Sequence, residues 1–165
     1  MEPTQSSIIP MKYPLDDFSI GIVSGYFNPI HYGHIEYIDC AKNNCDFLIA
    51  VVNSDLQVSL KGSKPFMDEN HRRKIVSSLK SIDLSIISID QDKTQCITLI
   101  KIRQSFPKCK MYFFNSGDRK QGNLVSSESE TCKANNIFEI VLDLPKIYSS
   151  SDLLKTNLWH SKNII

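Results

Sequence analysis

Apolar and polar positions fall into blocks along this chain: short continuous apolar runs separated by stretches with helical spacing. The first run, Phe18-Ser19-Ile20-Gly21-Ile22-Val23-Ser24, is rich in β-branched residues and has the length of one buried strand. A second, Asp46-Phe47-Leu48-Ile49-Ala50-Val51-Val52-Asn53, is apolar on both faces, as a strand covered on both sides requires. Residues 84–89, 110–115 and 138–142 supply three more. Between the first two, Ile35, Ile38 and Cys40-Ala41 recur at helical spacing with Glu36, Asp39 and Lys42 among them. A second helix opens at Met67-Asp68-Glu69-Asn70, with Asp68 as N-cap and Ile75, Val76 and Leu79 as its inner face. Residues 94–105 read as a third, carrying Ile97, Leu99, Ile100 and Ile102, with Pro107 beyond its end. A short helix follows near residues 128–134, and a terminal one starts at residues 149–154. Strands alternating with helices predict an α/β fold with a mostly parallel five-stranded sheet and helices on both faces. Residues 1–15, with Pro3, Pro10 and Pro14 among polar neighbours, read as an N-terminal arm; 16–165 form one domain.

One crossing carries the chemistry. Gly25-Tyr26-Phe27-Asn28-Pro29-Ile30-His31-Tyr32-Gly33-His34 lies between the first strand and the first helix, with Asn28-Pro29 as its turn. At such a crossing, free backbone N–H groups and the positive end of the helix dipole attract phosphate. Gly25 removes a side chain where the backbone must turn or approach a ligand. His31 and His34, three residues apart, share one face of the first helical turn. Two imidazoles beside a phosphate-attracting helix end suit a reaction that builds negative charge on phosphorus. Gly33 between them leaves room for a nucleotide against the backbone. The competing reading is a pair of ordinary surface or capping histidines.

The segment resembles the signature of the HxGH nucleotidyltransferase superfamily, which has cytidylyltransferase and adenylyltransferase branches. The resemblance implies a Rossmann-like fold with His31 and His34 stabilising the transition state as an acceptor phosphate attacks the α-phosphorus of a nucleoside triphosphate. It also implies that Gly25, Tyr26, Phe27, Asn28 and Gly33 contact the nucleotide. CTP is the donor implied by the branch that residues 67–83 resemble, with glycerol 3-phosphate, phosphocholine, phosphoethanolamine or a sugar phosphate as acceptor type. ATP with a heptose 1-phosphate-like or nucleotide acceptor is the alternative, and a catalytically silent nucleotide-binding scaffold the distant one. The family further implies Mg²⁺; no protein cage for it is visible, which suits an ion held mainly by substrate phosphates and water. The resemblance also admits a homodimer.

In a parallel sheet the carboxyl ends of the strands open on one ligand crevice, so distant loops should converge there. Asn53 and Asp55, at the end of the second strand, would line it and are candidates for the acceptor. Lys61 and Lys64 lie on the following loop, where a lysine can neutralise a developing pentacovalent centre; surface lysines are the competing reading. The family resemblance favours a catalytic role for Lys61. Arg72 is either a salt bridge pinning its helix or an acceptor contact. Ser116-Gly117-Asp118-Arg119 resembles the family's Gly-Asp element, with Gly117 admitting the ribose or base, Asp118 accepting from ribose hydroxyls or base amines, and Arg119 beside them. Ser149-Ser150-Ser151, at a helix start, could hold the β- and γ-phosphates or simply cap the helix. Lys155 stands there where some members of the family have arginine.

Totals add little bias. Against 19 basic side chains stand 18 acidic ones, with no long single-sign block, so nothing points to nucleic acid or lipid. No apolar run reaches the roughly 18 residues that span a bilayer. The N-terminal residues lack the basic start and apolar core of a signal peptide. Five cysteines, Cys40, Cys45, Cys96, Cys109 and Cys132, form no CxxC pair and suit neither a zinc site nor a disulfide framework. Cys40 and Cys96, in helix-like apolar patterns, read as buried thiols. These features describe a cytoplasmic enzyme.

Overall fold

The computed structural model describes residues 17–116 and 127–144. Five strands, β1 (Ser19–Gly25), β2 (Phe47–Val52), β3 (Leu84–Ile87), β4 (Lys110–Ser116) and β5 (Phe138–Leu142), form one sheet in the order β3-β2-β1-β4-β5. Every pairing is parallel. The helices are α1 (Tyr32–Lys42), α2 (Asp55–Leu60), α3 (Glu69–Ser77), α4 (Cys96–Ser105) and α5 (Ser127–Ala134). The predicted α/β, Rossmann-like architecture is therefore the observed one. Strand order reverses at β1, which pairs with β2 on one side and β4 on the other, and such a switch point opens a crevice at the carboxyl edge.

Strand alternation sends side chains to two cores. Ile20, Ile22, Ile49, Val51, Met111 and Phe113 pack on one face with Leu99 and Ile102 of α4 and Cys132 of α5. Val23, Leu48, Ala50, Val52 and Phe114 pack on the other with Tyr37, Ile38 and Ala41 of α1 and Val76 of α3. Each fully buried Val, Leu, Ile, Phe or Met among them contributes roughly 1.5–3 kcal/mol. Helices thus cover both faces, which is why the central strands are apolar throughout.

Helix faces differ in detail from the periodicity. The buried stripe of α1 is Tyr37, Ile38 and Ala41; Ile35 lies off it and is exposed, and Cys40 is half-buried. Tyr37 takes over because its ring packs inward while its hydroxyl donates to the Phe114 carbonyl, tying α1 to β4. On α3 the buried pair is Arg72 and Val76, four residues apart; Ile75 is exposed and Leu79 half-buried. Asp68 is the N-cap of α3, accepting from the N–H groups of Asn70 and His71. Helix α4 begins at Cys96 rather than residue 94, because Thr94 is held in a turn by the Asp92 carboxylate; Ile97 on it is exposed. Strand β3 stops at Ile87, and Ile89 beyond it is exposed. The buried thiols are Cys109 and Cys132, whereas Cys40 and Cys96 are half-buried; none of the five cysteines is in a disulfide. No helix among the described residues is long and apolar enough to cross a membrane.

Candidate active site

The site is built at the carboxyl end of β1. The chain leaves Gly25 and folds Phe27 back beneath it, at a φ of 46°. A Cβ on Gly25 would stand 2.9 Å from the Phe27 ring, so glycine is required there by contact with its own neighbour. The turn continues through a cis Asn28-Pro29 bond into His31, which is extended (φ −147°, ψ 174°) and forms the N-cap of α1. His34 occupies the third helical position, with Gly33 half-buried between the two.

The two imidazoles are together. Their ring centroids are 3.8 Å apart with planes at 29°, a stacked pair, and the Phe27 ring meets His34 edge-on at 4.9 Å. The His31 backbone N–H donates to His34 Nδ1 at 3.2 Å. An imidazole nitrogen that accepts a hydrogen bond carries no proton, so neutral His34 keeps its proton on Nε2 and is a donor there. Burial lowers the His34 pKa to about 3, helped by the nearby His31 and then by the Lys61 charge. Burial lowers the His31 pKa as well, and its Nδ1 is buried without a hydrogen-bond partner among the described residues. At neutral pH both rings are therefore neutral, aligned donors or acceptors, as a preorganised site requires.

His31 and His34 stand in a reciprocal capping-box arrangement, but the His31 side chain makes no full capping hydrogen bond, and among the described residues no carboxylate or hydroxyl caps α1, whose first turn holds no acidic residue. That leaves the positive end of the helix dipole open beside the histidines.

Lys61, the C-cap of α2, places Nζ 4.4 Å from the centroid of the Tyr26 ring, a cation–π contact at the edge of the same crevice. Tyr26 is half-buried; burial, and then the charge of Glu128, raise the pKa of its hydroxyl. Lys64 has an exposed side chain, but its carbonyl accepts from Asn28 Nδ2 at 2.9 Å. Asn28 Oδ1 accepts from the Phe66 N–H at 2.5 Å. Both ends of the buried Asn28 amide thus help staple the lysine-bearing loop to the turn.

Arg72 is similarly occupied. It is 1% exposed; Nε donates to the Met67 carbonyl, Nη1 to the carbonyls of Tyr26 and Asn53, and Nη2 to Asp55 Oδ1 at 2.6 Å. Of the two roles open to it, pinning is the one these contacts supply. A bidentate-capable guanidinium on backbone carbonyls locks the ends of β1 and β2 to α3. Asp55 is consequently engaged by Arg72, and its N–H donates to Glu69. Asn53 is buried, its amide donating to Gln57 Oε1 at 3.0 Å. Gly117, Asp118, Arg119, Ser149, Ser150 and Ser151 lie outside the described residues.

Sequence reading missed α2 and the polar groups behind it. Ser54 and Gln57 form a reciprocal capping box, a Ser-x-x-Gln signal that was there to be found. Gln57 also donates from Nε2 to the carbonyls of Asp92 and Thr94, anchoring the loop before α4. Glu128, at the start of α5 and 5% exposed, accepts from the Gln95 N–H at 2.9 Å; an acid at a helix start carries no sequence mark of such burial.

The family model described as cytidylyltransferase-like matches residues 22–152, from inside β1 to beyond β5. The chain belongs to the cytidylyltransferase-like family. Its curated relatives include the bifunctional protein HldE of Rhodopseudomonas palustris (strain BisB18), 35% identical over 92 residues, which are 54% of this chain and 19% of that protein. The FAD synthase of Thermoplasma acidophilum is 37% identical over 76 residues, 46% of this chain and 54% of that one. The chain thus matches only about a fifth of the length of HldE. Among solved structures, a lipopolysaccharide core biosynthesis protein from Thermoplasma volcanium superposes with a TM-score of 0.58 at 25% identity, covering 75% of this chain and 93% of that one. A nicotinate-nucleotide adenylyltransferase, so described for Vibrio parahaemolyticus, shares the fold at 17% identity, with a TM-score of 0.56 and coverage of 86% and 87%. For this cytidylyltransferase-like chain, no three His, Cys, Asp or Glu side chains among the described residues converge to hold a metal ion.

Proposed function

We propose that the chain transfers a nucleotidyl group from a nucleoside triphosphate to a small phosphorylated acceptor and releases pyrophosphate. An acceptor phosphate oxygen bonds to the α-phosphorus, and the bond from that phosphorus to the α–β bridging oxygen breaks. No covalent enzyme intermediate is needed, so the residues position and stabilise. The observation that carries this reading is the stacked His31–His34 pair at the start of α1, where no carboxylate or hydroxyl among the described residues takes the first N–H groups. His34 Nε2–H donates to a phosphate oxygen as charge develops, His31 packs on it, and the α1 dipole adds a fixed positive end. Lys61 swings from the Tyr26 ring to the phosphates as a point charge. Gly117, Asp118 and Arg119 are proposed for the ribose or base, and Ser149, Ser150 and Ser151 for the β- and γ-phosphates.

The family's description favours CTP as donor, and the HldE and FAD synthase relatives favour ATP. A divalent cation such as Mg²⁺ suits this site as one carried on triphosphate oxygens, where it would neutralise their charge. Five cysteines, none in a disulfide, agree with a reducing cytoplasm.

The test is pyrophosphate release from CTP and from ATP across phosphorylated acceptors, with His34→Ala in parallel. Release that depends on both an acceptor and His34 supports the reading; no release with any pair overturns it.

A further inference from the structure

Lys61 is an exposed side chain on a backbone that is tied down on both sides. Before it, α2 is anchored at its start, where the Asn53 amide bonds Gln57 and Asp55 accepts from Arg72. The end of α2 closes in a Schellman motif, the Ser63 N–H on the Val58 carbonyl and the Gly62 N–H on the Ser59 carbonyl. Gly62 takes the left-handed φ of 83° that this motif requires, and a Cβ there would meet nothing within 4 Å. Beyond it, Asn28 straps the loop to the histidine turn, donating to the Lys64 carbonyl at 2.9 Å and accepting from the Phe66 N–H at 2.5 Å. The strap is buried, with Asn28 only 4% exposed.

The lysine side chain is held by much less. Among the described residues no salt bridge engages Lys61, and its Nζ rests 4.4 Å from the centroid of the Tyr26 ring. Its charge is felt at His34, so this seat lies within electrostatic range of the histidine pair. A carboxylate partner would compete with an arriving polyphosphate, whereas a ring face attracts an ammonium and yields to a stronger anion. A long flexible side chain is ordered at less entropic cost when its root already stands in place.

We propose that Asn28 and Tyr26 are positioning residues for Lys61: Asn28 fixes the root of the lysine beside the histidine turn, and Tyr26 seats its ammonium until a triphosphate draws it off. This rests on the nucleotidyltransferase reading and assigns how its lysine is prepared. Both residues act through Lys61 and touch no reacting atom.

The first readout is spectroscopic and needs no turnover. In the full chain with ¹³C-labelled lysine, the Lys61 ε-CH₂ signal is assigned by its loss in Lys61→Arg. It should lie upfield of the other lysines, because the Tyr26 ring current shields it. CTP or ATP with Mg²⁺ should return it to the ordinary position, as Tyr26→Leu should without ligand. Asn28→Ala should also collapse the shift while circular dichroism stays native. Gly62→Val, which strains the other end of the clamp and adds its side chain to open space, should weaken it. The second readout is a double-mutant cycle on pyrophosphate release. Asn28→Ala should lower turnover about tenfold or more in the wild type, and less than about twofold in a Lys61→Ala background. No upfield signal in the free chain, a signal unmoved by either triphosphate, a shift that survives both clamp variants, or losses that simply add would each overturn the proposal. A seated, triphosphate-responsive lysine without pyrophosphate release in any pairing would sink the transferase reading and leave this arrangement standing. Acceptor-dependent release with Lys61 never at the ring would do the reverse.

Discussion

Helices α1 and α4 start in opposite ways. At α4, Asp90 is 1% exposed, and its carboxylate accepts from the N–H groups of Ile97 and Thr98 and from the Thr98 hydroxyl, while Glu128 takes the Gln95 N–H. Helices α2 and α3 are closed in the same spirit by Ser54 and Asp68. At α1 no carboxylate or hydroxyl among the described residues fills the place, and two imidazoles with depressed pKa values stand there in a weak capping-box arrangement. A helix start closed by its own side chains contributes stability and cannot take an anion; one left open gives up about 1 kcal/mol of capping and keeps a phosphate site. The difference separates a structural helix end from a functional one on the same sheet.

Removing the donor gives the largest expected effect. His34→Ala should lower turnover by about a hundred- to a thousandfold, the usual cost of one preorganised donor, while circular dichroism stays native. Closing α1 artificially comes next. His31→Asp puts a good N-cap where the imidazole was, so turnover should fall by about a hundredfold or more while thermal stability rises. Loss of activity with no gain in melting temperature would mean that α1 was never open. Opening α4 is the converse: Asp90→Ala should cost about 2 kcal/mol in urea unfolding, with turnover of the folded fraction little changed.

The last effect is graded with pH and vanishes near neutrality. His34 binds a proton near pH 6.5 when unfolded but only near 3 when folded. Between those values the unfolded chain holds more protons, so acidification through this window destabilises the fold. Urea midpoints should fall more steeply from pH 6.5 downward for the wild type than for His34→Gln. Parallel slopes would mean that His34 is not held neutral by burial.

The sheet was legible because five apolar runs of strand length leave no other assignment, and the histidine pair because it follows the first run directly. Arg72 was not: a lone arginine in a charged helix gives no hint that three backbone carbonyls and Asp55 enclose it. Asn28 likewise sits inside the recognisable segment, yet its amide is bound to a loop 36 and 38 residues away. Such roles depend on which loops meet at the sheet edge, and hydrophobic periodicity carries no information about that meeting. Gln95 and Glu128 were missed for the same reason, since each is polar in a stretch that reads as surface.

The most direct test follows the ring and amide resonances of the full chain while CTP and ATP are titrated in. The ring signals of His31 and His34 and the first amides of α1 should move with triphosphate, while the amides of Ile97 and Thr98 at the capped start of α4 stay in place. Shifts centred on α4, or none at the two histidine rings, would contradict the claim that α1 was left open for phosphate.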